Sequence, residues 1–284
     1  MTTRLIYSSV TWAMASSVGL SLRKYKMSKH PLDIAPAQGA KKVRFLQPKF
    51  PQIGPAGDGP RIVLAAQSGM GKSSAAAVLF KAYLPIVERA HIISSTLYLD
   101  KAYEEPMRLL KEKYKTEGVD IDDPEENPFH EDLSNLKVIM AGMVKRTREA
   151  QEQGDSVMPL TFLWIDDLMT GSGVAGYRYN ADIDKLFSTS RHAGGVVCLL
   201  TQSYRMLSKT ARLQATHAGI WAVQRSMWDD VKSELAGRQG MSAEQLEEAW
   251  RVATQKPHGF LWISYNAPPG QKFWSGFTKK LVAK

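Results

Sequence analysis

Two glycines, a lysine and two serines stand together in the stretch VLAAQSGMGKSSAAAVLF at positions 63–80. A strand-like apolar run precedes them and an alanine-rich, helix-like run follows them. The octet AQSGMGKS has the Walker A form, with Ala in place of the first Gly. Glycines let the backbone turn tightly so that N–H groups point at a phosphate, and the following helix adds the positive end of its dipole. The predicted nucleotide-binding residues are Gln67, Ser68, Gly69, Met70, Gly71, Lys72, Ser73 and Ser74.

Two further side chains with specific chemistry follow another apolar run, LTFLWIDDLM at 160–169. If the loop binds ATP, Lys72 is expected to reach the β- and γ-phosphates and Ser73 to offer its hydroxyl to Mg²⁺. Asp166 is predicted to hold the same Mg²⁺, directly or through water, as a Walker B carboxylate. Asp167 is predicted to orient and deprotonate the attacking water, in a position where Glu is more common. An acidic turn after a strand is the alternative explanation of this pair.

A polar pair ends a third apolar run, GVVCLLT at 195–201. Thr201 and Gln202 are predicted to emerge at the same sheet edge as the two carboxylates, where Gln202 would hydrogen-bond the γ-phosphate or the attacking water. A polar residue on the strand after Walker B is typical of P-loop ATPases with an extra strand between the two Walker strands. The sequence has no Asn-Lys-x-Asp motif to read a guanine base, which argues against a GTPase.

The elements that must position these residues alternate between strands and helices. Most of the strand candidates lack strict apolar/polar alternation, so they are expected to be parallel strands that are buried on both faces. The pattern predicts an α/β, three-layer P-loop NTPase of the RecA/ASCE type with a central, mainly parallel sheet. The predicted strands are 61–66, 91–95, 136–141, 160–166, 195–201, 219–223 and 258–266, and the predicted helices are 72–84, 101–115, 141–153, 181–192, 226–236 and 242–254. Ser242 and Gln245 occupy capping-box positions in the last helix.

Positive charge is concentrated near the start of the sequence. The net charge is +9 over 284 residues, and the first 60 residues carry nine Lys and Arg against two Asp. The stretch PKFPQIGPAGDGP at 48–60 contains four prolines and three glycines and is typical of a linker. We therefore expect a basic N-terminal arm and linker at 1–59 and a P-loop ATPase domain at 60–284. The arm would hold a phosphate backbone or an anionic surface, or else be a solvated tail.

The arm also contains an uncharged stretch, LIYSSVTWAMASSVGLSL at 5–22. It is barely long enough to cross a bilayer and about a third of it is Ser or Thr, so a signal peptide or membrane anchor is the less favoured interpretation. Met27 opens a hydrophilic segment and would serve as an alternative start site. The single cysteine, Cys198, lies in an apolar run and is expected to be buried, and the lack of a possible intrachain disulfide fits a reducing compartment.

The stretch DKLFSTSRHAGGVVCLLTQSY at 184–204 resembles a segment of FtsK–HerA superfamily ATPases in which an Arg precedes a strand that ends in Thr-Gln. Its Arg-His pair and LLTQSY ending are most similar to the genome-packaging ATPases of poxviruses, giant viruses, virophages and related double-jelly-roll viruses. The HIISST stretch after the first helix, the Asp-Asp pair and the late KPHGFLWISYN stretch support this resemblance. It covers about residues 60–266, and residues 1–59 resemble no family.

The resemblance implies a homo-oligomeric ring, hexameric or pentameric, that hydrolyses ATP to push double-stranded DNA into a preformed capsid. It implies a location in the virion or at the virus assembly site of the host cell, with capsid vertex proteins or an internal membrane as further partners. Such a ring needs an arginine that reaches the γ-phosphate held by a neighbouring subunit. Arg191, at the Arg-His position, and Arg212 are the candidates, and each has a surface cation as its alternative explanation. We expect Arg212 to act in trans and Arg191 to brace the strand that ends in Gln202.

The DNA contact is expected in MTGSGVAGYRYN at 169–180, a glycine-rich loop that carries Tyr177, Arg178 and Tyr179. A solvated loop with no role in DNA binding is the equal alternative. Two other functions are consistent with the same motifs: an AAA-type regulatory ATPase that acts on protein partners, and a small-molecule P-loop kinase. The kinase would need an arginine-bearing lid over the phosphates, whereas residues 101–132 are acidic.

Overall fold

The computed structural model describes residues 59–123, 126–166, 180–268 and 270–282. Within these ranges, nine strands form one sheet. They are β1 (Arg61–Ala65), β2 (Arg89–Ser94), β3 (Phe129–His130), β4 (Thr161–Asp166), β5 (Gly195–Thr201), β6 (His217–Trp221), β7 (Phe260–Ser264), β8 (Phe273–Ser275) and β9 (Lys279–Leu281). The helices of the same ranges are α1 (Lys72–Tyr83), α2 (Glu104–Glu117), α3 (Leu136–Gln153), α4 (Ala181–Thr189), α5 (Lys209–Gln214), α6 (Arg225–Leu235) and α7 (Ala243–Ala253), with short 3-10 turns at Lys101–Tyr103, Ser190–His192, Tyr204–Met206 and Arg238–Gly240.

The order of the strands in the sheet is β3–β2–β4–β5–β1–β6–β7–β8–β9. The neighbours from β3 to β6 are parallel, and β6 to β9 pair antiparallel. Strand β5 lies between β1, which precedes the Walker A loop, and β4, which ends in Asp166. Strand β5 is therefore the inserted strand that Thr201 and Gln202 predicted. The predicted fold class is confirmed.

The central strands bury both of their faces because helices cover both sides of the sheet. In β1, Val63 belongs to one apolar core and its neighbours Ile62 and Leu64 to the other. Helices α1 and α2 pack in the second core, through residues such as Phe80 and Tyr114, whereas α3 to α7 supply the first core. The continuous apolar runs in the sequence thus mark strands in the middle layer of three.

One predicted strand is wrong: residues 136–141 form the first turns of α3 and not a strand. Leu136, Ile139 and Met143 are buried while Val138 is 55% exposed, which is the spacing of one helical face. A short apolar run fits either element, and here the helix continues for 18 residues. Strands β3, β8 and β9 and helix α5 were not predicted. The predicted helix 141–153 begins five residues after α3 does, and the bounds of the remaining predicted elements lie within three residues of the observed ones.

Several smaller expectations have clear outcomes. Ser242 and Gln245 form the predicted capping box at the start of α7. Cys198 is fully buried as predicted, and burial raises the pKa of its thiol well above the ordinary range. Among the described helices, none has both the length and the apolar character needed to cross a membrane. The stretch 5–22, Met27 and the rest of the arm up to residue 58 lie outside the described residues.

Candidate nucleotide-binding site

The glycine-rich loop connects the end of β1 to the start of α1. Gly69 has φ 76° and Gly71 has φ 95°, both in the left-handed region that favours glycine because it has no Cβ. The N–H of Ala66 donates to the carbonyl of Thr201 at 3.1 Å, which fixes the start of the loop to the end of β5. The motif therefore forms the tight strand-to-helix turn that its glycines predicted.

The N-terminus of α1 is suited to an anion. Gly71 precedes the helix with no side-chain cap, and its first turn contains no acidic residue. By contrast, α2, α4 and α7 each carry one or two acidic residues in their first turn. Phosphate oxygens at this helix end would meet backbone N–H groups and the positive end of the dipole, without a carboxylate that competes for them.

Lys72 begins α1 and folds its side chain back over the loop. Its ammonium group donates to the carbonyls of Ala66, at 2.8 Å, and Gln67, at 3.1 Å. Two neutral acceptors are weaker partners for an ammonium group than phosphate oxygens are. A bound nucleotide would therefore draw Lys72 away from the loop carbonyls and onto its own oxygens.

The carboxylate of Asp166 ends β4 and lies against α1. Its Oδ2 atom accepts hydrogen bonds from the Ser73 hydroxyl at 3.0 Å and from the Tyr103 phenol at 2.7 Å. Asp166 is 5% exposed, so its orientation depends on these protein contacts more than on water. Ser73 and Asp166 are 93 residues apart in sequence, and the parallel sheet brings them together at its carboxyl edge.

These two side chains are of types that can hold Mg²⁺, which prefers oxygen ligands about 2.0–2.1 Å away in an octahedron. The Ser73 hydroxyl lies 3.0 Å from Oδ2 of Asp166, an ordinary hydrogen-bond length that would also let both oxygens approach one ion. In the described part of the chain, no three His, Cys, Asp or Glu side chains cluster as in an all-protein metal site. A site with two protein ligands fits an ion that keeps water and phosphate oxygens in its coordination shell.

A cavity of about 270 Å³ opens at this edge of the sheet. Its lining residues are Ser68, Gly69, Gly71, Lys72, Ser73, Ser74, Thr96, Asp100, Ala102, Tyr103, Asp166, Leu200, Thr201 and Gln202. Gln202 follows β5 and thus lies between the loop after β1 and the carboxylate after β4, as predicted from its strand. Gln67 and Met70 belong to the loop but not to the lining: Gln67 offers its carbonyl to Lys72, and the carbonyl of Met70 lies 3.3 Å from Nδ1 of His258.

The candidate general base and the candidate DNA loop cannot be placed. Asp167 and residues 168–179, which include Tyr177, Arg178 and Tyr179, lie outside the described residues. The described chain resumes at Asn180, whose side chain caps α4 by accepting from the N–H groups of Asp182 and Ile183.

Neither candidate arginine lines the cavity. Arg191 precedes β5, so it lies at the opposite end of that strand from Gln202, and its exposed side chain donates from Nε to Nε2 of His192 at 2.8 Å. Arg212 lies in α5, and its Nε donates to Oε1 of Glu234 in α6 at 2.7 Å. Its Nη1 also donates to the carbonyl of Leu207. The structure thus gives Arg212, the residue expected to act in trans, a set of partners in its own chain.

The sequence analysis missed several residues of the site. Thr96, Asp100, Ala102 and Tyr103 line the cavity from the segment after β2. The HIISST stretch marked the start of this segment, but no local pattern indicates that Tyr103 contacts Asp166, because 63 residues separate them. His258 was also missed: it has φ 58°, rare for a residue with a side chain, and this backbone places its ring beside the loop.

Comparison with solved structures gives matches to a viral protein. The genome packaging NTPase B204 from Sulfolobus turreted icosahedral virus 2, in complex with ATP-γS, is 17% identical, with a TM-score of 0.50 over 79% of this chain and 98% of that chain. The same NTPase in complex with AMP is 16% identical, with a TM-score of 0.51 over 77% of this chain and 96% of that chain. At this identity the likeness establishes the fold, which is the fold that the resemblance in the sequence implied. No family model matches the sequence, and neither does any curated protein.

Proposed function

We propose that this protein is an ATPase of the FtsK–HerA superfamily that hydrolyses ATP to translocate double-stranded DNA, and that it packages a viral genome into a preformed capsid. One observation carries the nucleotide part of this proposal. At the end of a glycine-rich loop, the Ser73 hydroxyl donates to the carboxylate of Asp166, from a distant strand, at 3.0 Å, which brings a hydroxyl and a carboxylate together beside the phosphate loop. The DNA part is supported by the sequence resemblance and by the shared fold of a genome packaging NTPase.

In the proposed reaction, each group at the sheet edge acts on one part of ATP. The loop N–H groups and the α1 N-terminus bind the phosphates, and Lys72 contacts the β- and γ-phosphates. Ser73 and Asp166 would hold Mg²⁺, whose charge would offset the negative charge of the phosphates. Asp167 takes the proton of the attacking water, and Gln202 orients that water or the γ-phosphate.

The charge of the cavity supports a site that is shared between subunits. Among the described residues of its lining, Lys72 is the single cation, beside the carboxylates of Asp100 and Asp166. Phosphoryl transfer usually needs further positive charge on the γ-phosphate, which an arginine from a neighbour can supply. A homo-oligomeric ring would bring such a residue to each site, with Arg191 more accessible than Arg212.

DNA would be contacted by the loop at 169–180 and by the basic arm at 1–59. Both offer Arg or Lys, and the loop adds tyrosines, which suits contact with the backbone of any sequence. The arm would thus assist the P-loop ATPase domain at 60–284, which contains the loop. In the proposed packaging role, the protein would act in the virion or at the assembly site. Capsid vertex proteins or an internal membrane would then be its further partners.

The test is ATP hydrolysis by the full chain with and without double-stranded DNA. We expect DNA to stimulate hydrolysis, Lys72→Ala to weaken nucleotide binding, and Asp167→Asn to bind ATP without turning it over. Lys81→Ala is the matched control. Lys81 lies on the same helix, and its half-exposed side chain forms an ion pair with Glu105 at 3.7 Å. Wild-type turnover in Asp167→Asn would remove that residue from the catalytic role.

The same assay separates the other two functions. A rate of ATP hydrolysis that does not change with DNA but rises with a protein partner would favour the AAA-type regulator. Consumption of ATP only with a small acceptor would favour the kinase. The kinase would need an arginine-bearing lid over the phosphates, whereas residues 101–132 are acidic.

A further inference from the structure

The buried tyrosine Tyr103 contacts the candidate Mg²⁺ ligand directly. Its phenol donates to Oδ2 of Asp166 at 2.7 Å, while 1% of the residue is exposed. A phenol is protonated at neutral pH, so this group donates to the carboxylate. The proposed hydrolysis as described above assigns Tyr103 no task.

The surroundings of Tyr103 hold its ring in one place. Asp100 caps the 3-10 turn by accepting from the N–H of Ala102 at 2.9 Å, and the N–H of Tyr103 donates to the carbonyl of Asp100 at 3.1 Å. The ring lies 5.3 Å from that of Trp164, two residues before Asp166 on β4. Backbone and ring are therefore both fixed relative to the strand that carries the carboxylate.

Oδ2 of Asp166 thus accepts from two donors on opposite segments, Ser73 on α1 and Tyr103 after β2. Two donors on one oxygen restrict rotation of the carboxylate about its last bond. We propose that Tyr103 is a positioning residue that orients the Asp166 carboxylate for Mg²⁺. This inference rests on the proposed function, since it gives the Mg²⁺ site of that function a supporting residue.

The expected effect follows from the way that metal-ligand carboxylates are held. Groups that hydrogen-bond a ligand keep it oriented before the ion arrives, and their loss costs about 10- to 100-fold in metal affinity. Without the phenol, the buried Oδ2 of Asp166 would keep Ser73 as a donor, and the carboxylate could turn. Mg²⁺ affinity in the presence of nucleotide should therefore fall, while nucleotide binding without Mg²⁺ should not change.

The experiment compares Tyr103→Phe with Tyr114→Phe. Tyr114 is a matched control, because it is equally buried and its hydroxyl is also hydrogen-bonded, to the N–H of Ala90 at 2.8 Å and its carbonyl at 3.1 Å. Binding of a fluorescent ATP analogue is titrated with Mg²⁺, and again in EDTA. We expect Tyr103→Phe to raise the Mg²⁺ concentration at half-saturation about tenfold relative to wild type. Tyr114→Phe should have the wild-type value.

A second measurement uses Asp166→Asn, which removes the carboxylate itself. If Tyr103 acts through that carboxylate, Tyr103→Phe should change the Mg²⁺ dependence no further in the Asp166→Asn background. An unchanged or lower half-saturation value in Tyr103→Phe alone would overturn the positioning role. Wild-type protein that binds the analogue without any Mg²⁺ dependence would instead count against the proposed function, so the two failures are distinguishable.

Discussion

We expect Arg212→Ala to lower the stability of the folded chain, and we do not expect it to remove a group that acts on ATP in a neighbouring subunit. The side chain of Arg212 is 13% exposed and that of its ion-pair partner Glu234 is 24% exposed. The guanidinium also donates to the carbonyl of Leu207 and lies 6.0 Å from the ring centre of Tyr204. Truncation would leave the carboxylate of Glu234 and that carbonyl without their donor in a largely buried place.

The size of the loss follows from this degree of burial. An exposed ion pair contributes about 0–1 kcal/mol, and removing one partner of a fully buried pair costs about 3–5 kcal/mol. The Arg212 pair lies between these limits, so we expect a loss of about 2 kcal/mol. In a domain of this size, that loss lowers the Tm by about 4–8 °C.

Thermal unfolding of Arg212→Ala measures this loss, with Arg191→Ala as the comparison. Arg191 is exposed and its hydrogen bond is to the adjacent His192, so its removal should change the unfolding free energy by about 0.5 kcal/mol or less. Hydrolysis is then assayed well below the Tm of both variants, alone and mixed with Lys72→Ala subunits. Mixing restores activity only if the missing arginine acts in trans. At one kind of mixed interface, the arginine variant then supplies an intact Lys72 and the Lys72→Ala subunit supplies an intact arginine.

We expect mixing to leave Arg212→Ala unrestored. The reasoning would be refuted by an Arg212→Ala variant that keeps the wild-type Tm, binds nucleotide, fails to hydrolyse it and recovers activity in the mixture. That result would show that Glu234 releases the guanidinium in the assembled ring. Recovery of Arg191→Ala in the same mixtures would assign the trans role to Arg191.

Three further outcomes concern the fold. Burial lowers the pKa of His91 and His217 to about 3, whereas the pKa of each in the unfolded chain is about 6.5. Below pH 6.5 the unfolded chain therefore binds more protons than the folded chain. The free energy of unfolding should fall by about 2 kcal/mol per histidine between about pH 7 and pH 5, as measured by chemical denaturation at both pH values. Gly195→Ala should cost about 1–3 kcal/mol in the same assay, because the added Cβ would lie 2.7 Å from Cβ of Ser190 and against Met143. Ser242→Ala should remove the capping box of α7 and lower the unfolding free energy by about 1 kcal/mol, a loss that a stability equal to wild type would contradict.

The central strands of the sheet could be predicted because each is marked by a pattern within a few consecutive residues. Strands β1, β4 and β5 are continuous apolar runs, and each leads directly into polar residues of the site. Side chains that follow neighbouring parallel strands meet at one edge, so Lys72, Asp166 and Gln202 could be grouped before any coordinates were known.

What the sequence could not provide depends on contacts between distant residues. The apolar run at 136–141 fits a strand or a helix until the burial of its neighbours is known. Tyr103 reaches Asp166 across 63 residues, and Arg212 pairs with Glu234 across 22. The short antiparallel strands β8 and β9, of three residues each, carry too few apolar positions to be recognised.

The groups that line the candidate site come from four adjacent strands, and hydrogen bonds connect them. The loop after β1 is tied to β5 through Ala66 and Thr201, Gln202 continues from β5, and Asp166 ends the next strand. Tyr103, from the segment after β2, donates to Oδ2 of that carboxylate, the oxygen that also accepts from Ser73. A displacement of the β2 segment would therefore turn Asp166 and weaken the hold on Mg²⁺, while the phosphate loop, which is anchored to β5, stays in place.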